Sequence, residues 1–205
     1  MNHPLTQSGL TIGVLALQGA YEAHAKTLQS LGVVTRLVRT PEDLVAPTKI
    51  DGLIIPGGES TTMLKFLERN KFLGVLTSFV QRTPTFGTCA GAILLAKEVQ
   101  HPAQASLAAM DITVERNAYG RQIDSAIVTA PTELPGGPLE MVFIRAPRIT
   151  RAGPAVEVLA TRDSFPVLVR EGHLLAATFH PELSGDTRVH QLFLDLIRKN
   201  ATAAA

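Results

Sequence analysis

The amino-acid sequence predicts an α/β protein: an open, mostly parallel sheet with helices on both faces, in three layers. Three observations carry this expectation. Short continuous apolar runs alternate with helically spaced segments through the first half of the chain, as strands buried on both faces and their crossover helices require. Glycine and proline turns close most of these runs. The second half changes to short strand candidates and finishes on one amphipathic helix.

In chain order, Thr11–Leu17 is an apolar run of strand length, and Tyr21–Leu31 follows with helical spacing and stops at Gly32. Val33–Val38 is β-branched and short, and Pro41–Val45 makes a brief helical turn. Asp51–Ile55 is the next strand, closed by Pro56-Gly57-Gly58, with Ser60 placed to cap the helix after it. Phe72–Val80 is a second helical piece, Pro84–Gly87 a short strand, and Ala90–Val99 a helix. Strands are then expected at Asp111–Arg116, Gln122–Thr129, Met141–Ile144, Val156–Thr161, Val167–Arg170 and His173–Phe179. Pro131–Pro138 is too rich in Pro and Gly to be an element. The last helix, Thr187–Lys199, puts Val189, Leu192, Phe193, Leu196 and Ile197 on one stripe.

With 205 residues, 45% of them hydrophobic and 18% charged, the chain can bury a sizeable core and is not of disordered composition. A net charge of +1 without a Lys/Arg run gives no electrostatic grip on nucleic acid or a membrane surface. No run of about 18 apolar residues occurs, so a transmembrane helix is not expected. Leu10–Leu17 lacks a preceding Lys or Arg and is followed by Gln18 and Glu22, so it reads as a strand and not as a signal-peptide core. A single cysteine forms no internal disulfide, and the cytosol is the expected compartment.

That cysteine stands in Gly87-Thr88-Cys89-Ala90-Gly91, between a strand and a helix. The pattern is a nucleophile elbow: glycines two residues to either side let strand and helix approach, and the side chain projects from a strained turn. The helix dipole there favours negative charge on sulfur, and the Ala90 amide can hold an oxyanion. A cysteine nucleophile needs a base, and the base needs an orienting group. Of the six histidines, His3 lies at the start, His24 and His190 fall within helices, His101 precedes a proline and His173 opens a strand. His180 ends an apolar run in Phe179-His180-Pro181-Glu182, and in an extended chain Glu182 would face the same side and fix its tautomer. No His/Cys/Asp/Glu group shows metal-ligand spacing, and no cofactor is expected. Pro56-Gly57-Gly58 offers bare amides at a strand end but lacks G-K-[ST], so it is no nucleotide-phosphate loop.

Elbow and His-Pro-Glu by themselves indicate the wide class of triad amidotransferases. Six segments taken in order, LALQGAYEAH, DGLIIPGGEST, GTCAGAILLA, RNAYGRQ, FIRAP and FHPEL, narrow this. Together they resemble the glutaminase subunits of pyridoxal 5'-phosphate synthase, which are class I glutamine amidotransferases of flavodoxin-like fold. The resemblance implies hydrolysis of L-glutamine to glutamate and ammonia, with Cys89 as nucleophile, His180 as proton shuttle and Glu182 holding His180. It further implies oxyanion amides at Gly58 and Ala90, and a glutamine site lined by Gly57, Gly58, Glu59, Arg116, Ile144 and Arg145. Either arginine suits the substrate carboxylate. The implied partner is a synthase subunit, a (β/α)₈ barrel that receives the ammonia, with Gln18 as the residue placed to sense it. Residues 1–10 are then an N-terminal extension, 11–200 one glutaminase domain and 201–205 a frayed tail. The glutaminase subunit of another amidotransferase, such as that of histidine biosynthesis, and a non-catalytic scaffold are the alternatives; the QGAYEAH and NAYGRQ segments and the intact triad weigh against them.

Overall fold

A computed structural model of the chain describes residues 9–45, 49–116 and 125–203. Most of the N-terminal extension, the RNAYGRQ segment beyond Arg116 and the start of the Gln122–Thr129 strand lie outside the described residues.

The first half alternates as expected: β1 (Thr11–Leu15), α1 (Tyr21–Ser30), β2 (Val34–Val38), α2 (Pro41–Val45), β3 (Gly52–Ile55), α3 (Ser60–Arg69), α4 (Phe72–Val80), β4 (Thr85–Thr88) and α5 (Ala90–Leu95). Then come β5 (Ala96–Gln100), β6 (Met110–Glu115), β7 (Ser125–Ala130), β8 (Leu139–Ile144), β9 (Arg148–Ala152), β10 (Glu157–Arg162), β11 (Phe165–Glu171), β12 (Leu174–Ala177) and α6 (Arg188–Ala203).

The main sheet has seven strands in the order β10-β11-β12-β4-β3-β1-β2. Its pairs from β12 through β4, β3 and β1 to β2 are parallel, whereas β10–β11 and β11–β12 are antiparallel. Side chains alternate across it. Ile12, Val14, Ile54, Phe86, Leu175 and Ala177 enter a core with Leu28 of α1 and Phe193 of α6. Leu15, Leu53, Ile55, Leu174 and Ala176 enter the opposite core with Met63 of α3, Phe72 of α4 and Leu94 of α5. Two cores on one sheet are the three layers. The β5-β6-β9 sheet and the β7–β8 hairpin are separate.

Four local expectations need correction. The helix expected over Ala90–Val99 stops at Leu95, because Ala96 is extended (φ −59°, ψ 142°) and the chain joins β6 as strand β5. Lys97 and Glu98 are exposed while Ala96 and Val99 are buried, so pairing with β6 overrides the helical propensity of the alanines. β9, with three polar residues in five, was not expected as a strand; β6 recruits it by antiparallel pairing. Ser60 does not cap α3. Glu59 does, its carboxylate accepting from the amides of Thr61 (3.2 Å) and Thr62 (2.7 Å), while Ser60 is the first helical residue and donates to Gln104. The final helix runs to Ala203, beyond Asn200, as alanine's high helix propensity allows.

Candidate active site

Cys89 sits between β4 and α5 at φ 49°, ψ −103°, a conformation that costs a non-glycine residue on the order of 1–3 kcal/mol. The surroundings impose it. The Cys89 amide donates to Ala177 O of β12 (2.8 Å), and Cys89 O accepts from Ile93 N (3.2 Å). The flanking glycines are sterically obligatory: a Cβ on Gly87 would lie 2.6 Å from the Gly91 carbonyl, and one on Gly91 would lie 1.9 Å from Ile55 O. The elbow expected from the sequence is therefore present, with strand and helix in backbone contact.

β12 lies beside β4 with Ala177 opposite Thr88, so the chain leaving β12 passes the cysteine. His180 is fixed there by its amide, which donates to Val142 O of β8 (2.8 Å). Its Nδ1 is 2.7 Å from Glu182 Oε1, and the Glu182 side chain is fully buried. The sequence reading assumed an extended chain between the two. Instead Pro181–Leu183 forms a 3-10 turn, started by the fixed φ of Pro181, and Glu182 reaches back from within it. Burial alone would lower the His180 pKa, but hydrogen bonding to Cys89 and Glu182 and their negative charge outweigh it and raise it to about 10. Its Nδ1–H is donated to Glu182.

A cavity of about 300 Å³ opens on these groups, and Cys89, His180, Gly57, Gly58, Glu59, Arg116, Ile144 and Arg145 all line it. Ala90 is buried and begins α5, and it is not among the residues that line the cavity. The Gly57 backbone presses against the reacting pair: a Cβ there would meet His180 Cε1 at 2.4 Å and Cys89 Cβ at 3.3 Å. Arg116 is mostly buried and lies 3.5 Å from Glu59 Oε1, whereas no carboxylate among the described residues pairs with Arg145. Burial would raise the Glu59 pKa, but hydroxyls and amides of Thr61 and Thr62 bring it down to about 2. Gln18 lies outside the cavity lining; its Nε2 donates to Glu59 O, and the Gly57 carbonyl packs on Gly19, where a Cβ would be 1.7 Å away.

Two histidines set aside as ordinary helix residues lie directly behind this site. His24 of α1 and His190 of α6 are fully buried and joined by Nδ1 and Nε2 at 2.9 Å, and His24 Nε2 is 3.1 Å from Thr88 Oγ1 and 3.3 Å from Glu182 Oε2. The available signal was positional. His24 precedes the core residue Leu28 by one turn, and His190 precedes Phe193 on the apolar stripe of α6. Among the described residues no His/Cys/Asp/Glu group is arranged to hold a metal ion, and no helix is long and apolar enough to cross a membrane.

Compared with known proteins, residues 14–199 match the SNO glutamine amidotransferase family. The chain belongs to that family. Among curated relatives of this SNO amidotransferase, a Koribacter versatilis protein named pyridoxal 5'-phosphate synthase subunit PdxT is 60% identical over 189 residues, covering 92% of this chain and 96% of the relative. A Thermotoga maritima protein of the same name is 48% identical over 191 residues, 92% of this chain and 100% of its own. A solved glutamine amidotransferase is 45% identical with a TM-score of 0.82, covering 91% of this chain and 98% of that one. A putative GMP synthase subunit from Thermoplasma acidophilum, 17% identical with a TM-score of 0.68, shares the fold.

Proposed function

We propose that this chain is the glutaminase subunit of a pyridoxal 5'-phosphate synthase, hydrolysing L-glutamine to L-glutamate and ammonia. Cys89 and His180 meet on one cavity with the buried Glu182 holding His180 from behind, and this carries the chemistry. The acceptor is supported by relatives at 48–60% identity that bear the name pyridoxal 5'-phosphate synthase subunit.

Cys89 gives its thiol proton to His180 and attacks the side-chain amide carbon of glutamine. The oxyanion that develops is held by the amides of Gly58 and Ala90. His180 gives its proton to the leaving nitrogen, ammonia departs and a thioester remains on Cys89. A water molecule, deprotonated by His180, then cleaves the thioester and returns glutamate and the thiolate. Glu182 keeps the ring oriented through both steps. Gly57, Gly58, Glu59, Arg116, Ile144 and Arg145 form the glutamine site, and Arg145, which pairs with no carboxylate among the described residues, is the better partner for the substrate carboxylate. The thiol must stay reduced, which fits the cytosol.

Ammonia is mostly protonated near neutral pH, so the product passes directly to the partner, a (β/α)₈-barrel synthase subunit. Gln18 and Gly19 clasp the Pro56–Glu59 loop, which supports a gate. Docking at Gln18 frees the Gly57–Gly58 peptide to turn its amide into the oxyanion site. Glutamate release should accordingly rise when the purified chain is mixed with its synthase subunit. Full activity of the isolated chain, without change on mixing, would remove the gate and leave a free-standing glutaminase.

A further inference from the structure

The buried imidazole pair belongs to no step described so far, yet it ends on the triad. Glu182 has two carboxylate oxygens in a site without solvent. Oε1 is engaged by His180, and Oε2 has no aligned hydrogen bond among the described residues; it lies 3.3 Å from His24 Nε2. A carboxylate held at one oxygen can pivot about its own bond, and His180 would pivot with it.

The protons on the pair can be placed. His190 Nδ1 has no partner among the described residues, and an orphaned buried donor is rarer than an orphaned acceptor, so the His190 proton sits on Nε2 and is donated to His24 Nδ1. The His24 proton is then on Nε2 and is donated to Thr88 Oγ1 (3.1 Å), with Glu182 Oε2 3.3 Å from the same nitrogen. The opposite tautomer would set a lone pair against a carboxylate. Phe86 closes the space edge-on to both rings, at centroid distances of 6.2 Å and 6.1 Å.

We infer that His24 is a positioning residue of the glutaminase triad: its neutral Nε2–H, set in that tautomer by His190, steadies the second oxygen of Glu182 and so the ring of His180. Neutrality matters to the result. Burial, then the neighbouring His190 and His180, lower the His24 pKa well below 6.5, and burial lowers that of His190 to about 4. A dipole restrains Oε2 without cancelling the charge that Glu182 presents to His180, as a lysine or arginine would. The arrangement ties α1, α6 and the end of β4 to the catalytic turn.

The inference rests on the glutaminase reading, and the test separates the two. In His24→Gln the amide nitrogen falls near the place of Nε2; in His24→Asn it falls near Nδ1 and does not reach Glu182. Both variants keep a polar group in a polar pocket. With the synthase subunit present, His24→Asn should lose about ten- to a hundredfold in kcat with KM for glutamine within about twofold, and His24→Gln should stay within about threefold of the parent. The His180 Nδ1–H proton, read by NMR on the chain itself, should remain downfield in the parent and in His24→Gln and move or vanish in His24→Asn. Equal kcat in folded Gln and Asn variants, or an unchanged Nδ1–H signal in His24→Asn, would reduce the pair to core packing. A parent chain that releases no glutamate would instead overturn the glutaminase reading, and the proton signal would still decide the role of His24.

Discussion

At Cys89 the backbone holds a strained conformation so that one sulfur atom faces the cavity, and side-chain changes there should separate chemistry from folding. Cys89→Ala should fold and release no glutamate above background, since no other group in the cavity can form the thioester. His180→Asn should be as damaging as loss of Cys89, and Glu182→Gln milder, because an orienting group contributes less than nucleophile or base. Turnover retained in His180→Asn but lost in His173→Asn would mean that the wrong histidine had been assigned. Arg145→Ala should raise KM for glutamine about ten- to a hundredfold, the scale of one charge-assisted bond of about 1.5–3 kcal/mol, with little effect on the thermal midpoint. These residues were legible because their signals are local: five consecutive residues specify the elbow, and His180 and Glu182 are two apart. His24 and His190 were not, since each is unremarkable in its own helix and acquires meaning only where α1 and α6 meet.

Among the elements, the parallel strands were readable because they are buried on both faces and so appear as unbroken apolar runs, as in Gly52–Ile55. β5 and β9 were hidden because their strand character comes from pairing with β6 and not from their own residues. The Glu59 cap was missed since Ser is the more usual capping residue and stands next to it. Glycines in two helices offer a contrast. Gly91→Ala drives a Cβ to 1.9 Å from Ile55 O, where only backbone could yield, and should destabilise the protein by about 3 kcal/mol or more. Gly74, exposed in α4, has nothing within 4 Å of the same position, and Gly74→Ala should stabilise by about 0.5–1 kcal/mol. Chemical denaturation of both variants measures the difference; equal midpoints would show that the elbow is not closed by backbone contact.

For the whole molecule, the buried histidines shape the dependence of stability on pH. His190, with burial lowering its pKa to about 4, takes up a proton near 6.5 when unfolded but resists it when folded. The unfolded chain therefore binds more protons between those values, and stability falls as pH drops from 6.5 towards 4, by on the order of 3 kcal/mol for this group. His24 acts in the same direction. His180 has the opposite sign: its contribution is complete below 6.5 and is lost as pH rises towards about 10. The thermal midpoint should trace a bell with its maximum near pH 6.5, and His190→Gln should flatten the acid limb. Asp43, Asp111 and Asp186, lowered from an ordinary 3.8, and Glu59 and Glu98, lowered from 4.5, lose their contribution only as pH falls through those values, so a level midpoint between pH 6.5 and about 5 would refute this account. The sheet order has a further consequence, in time instead of space. β4 carries the nucleophile, but the neighbour that fixes its backbone and leads to the base is β12, which inserts between β4 and β11 and is the last strand made. During synthesis the cysteine is complete long before anything exists to activate it, and closing so distant a pair is a late event. A growing chain cannot consume glutamine, and the enzyme comes into being only when its final strand finds the gap left for it.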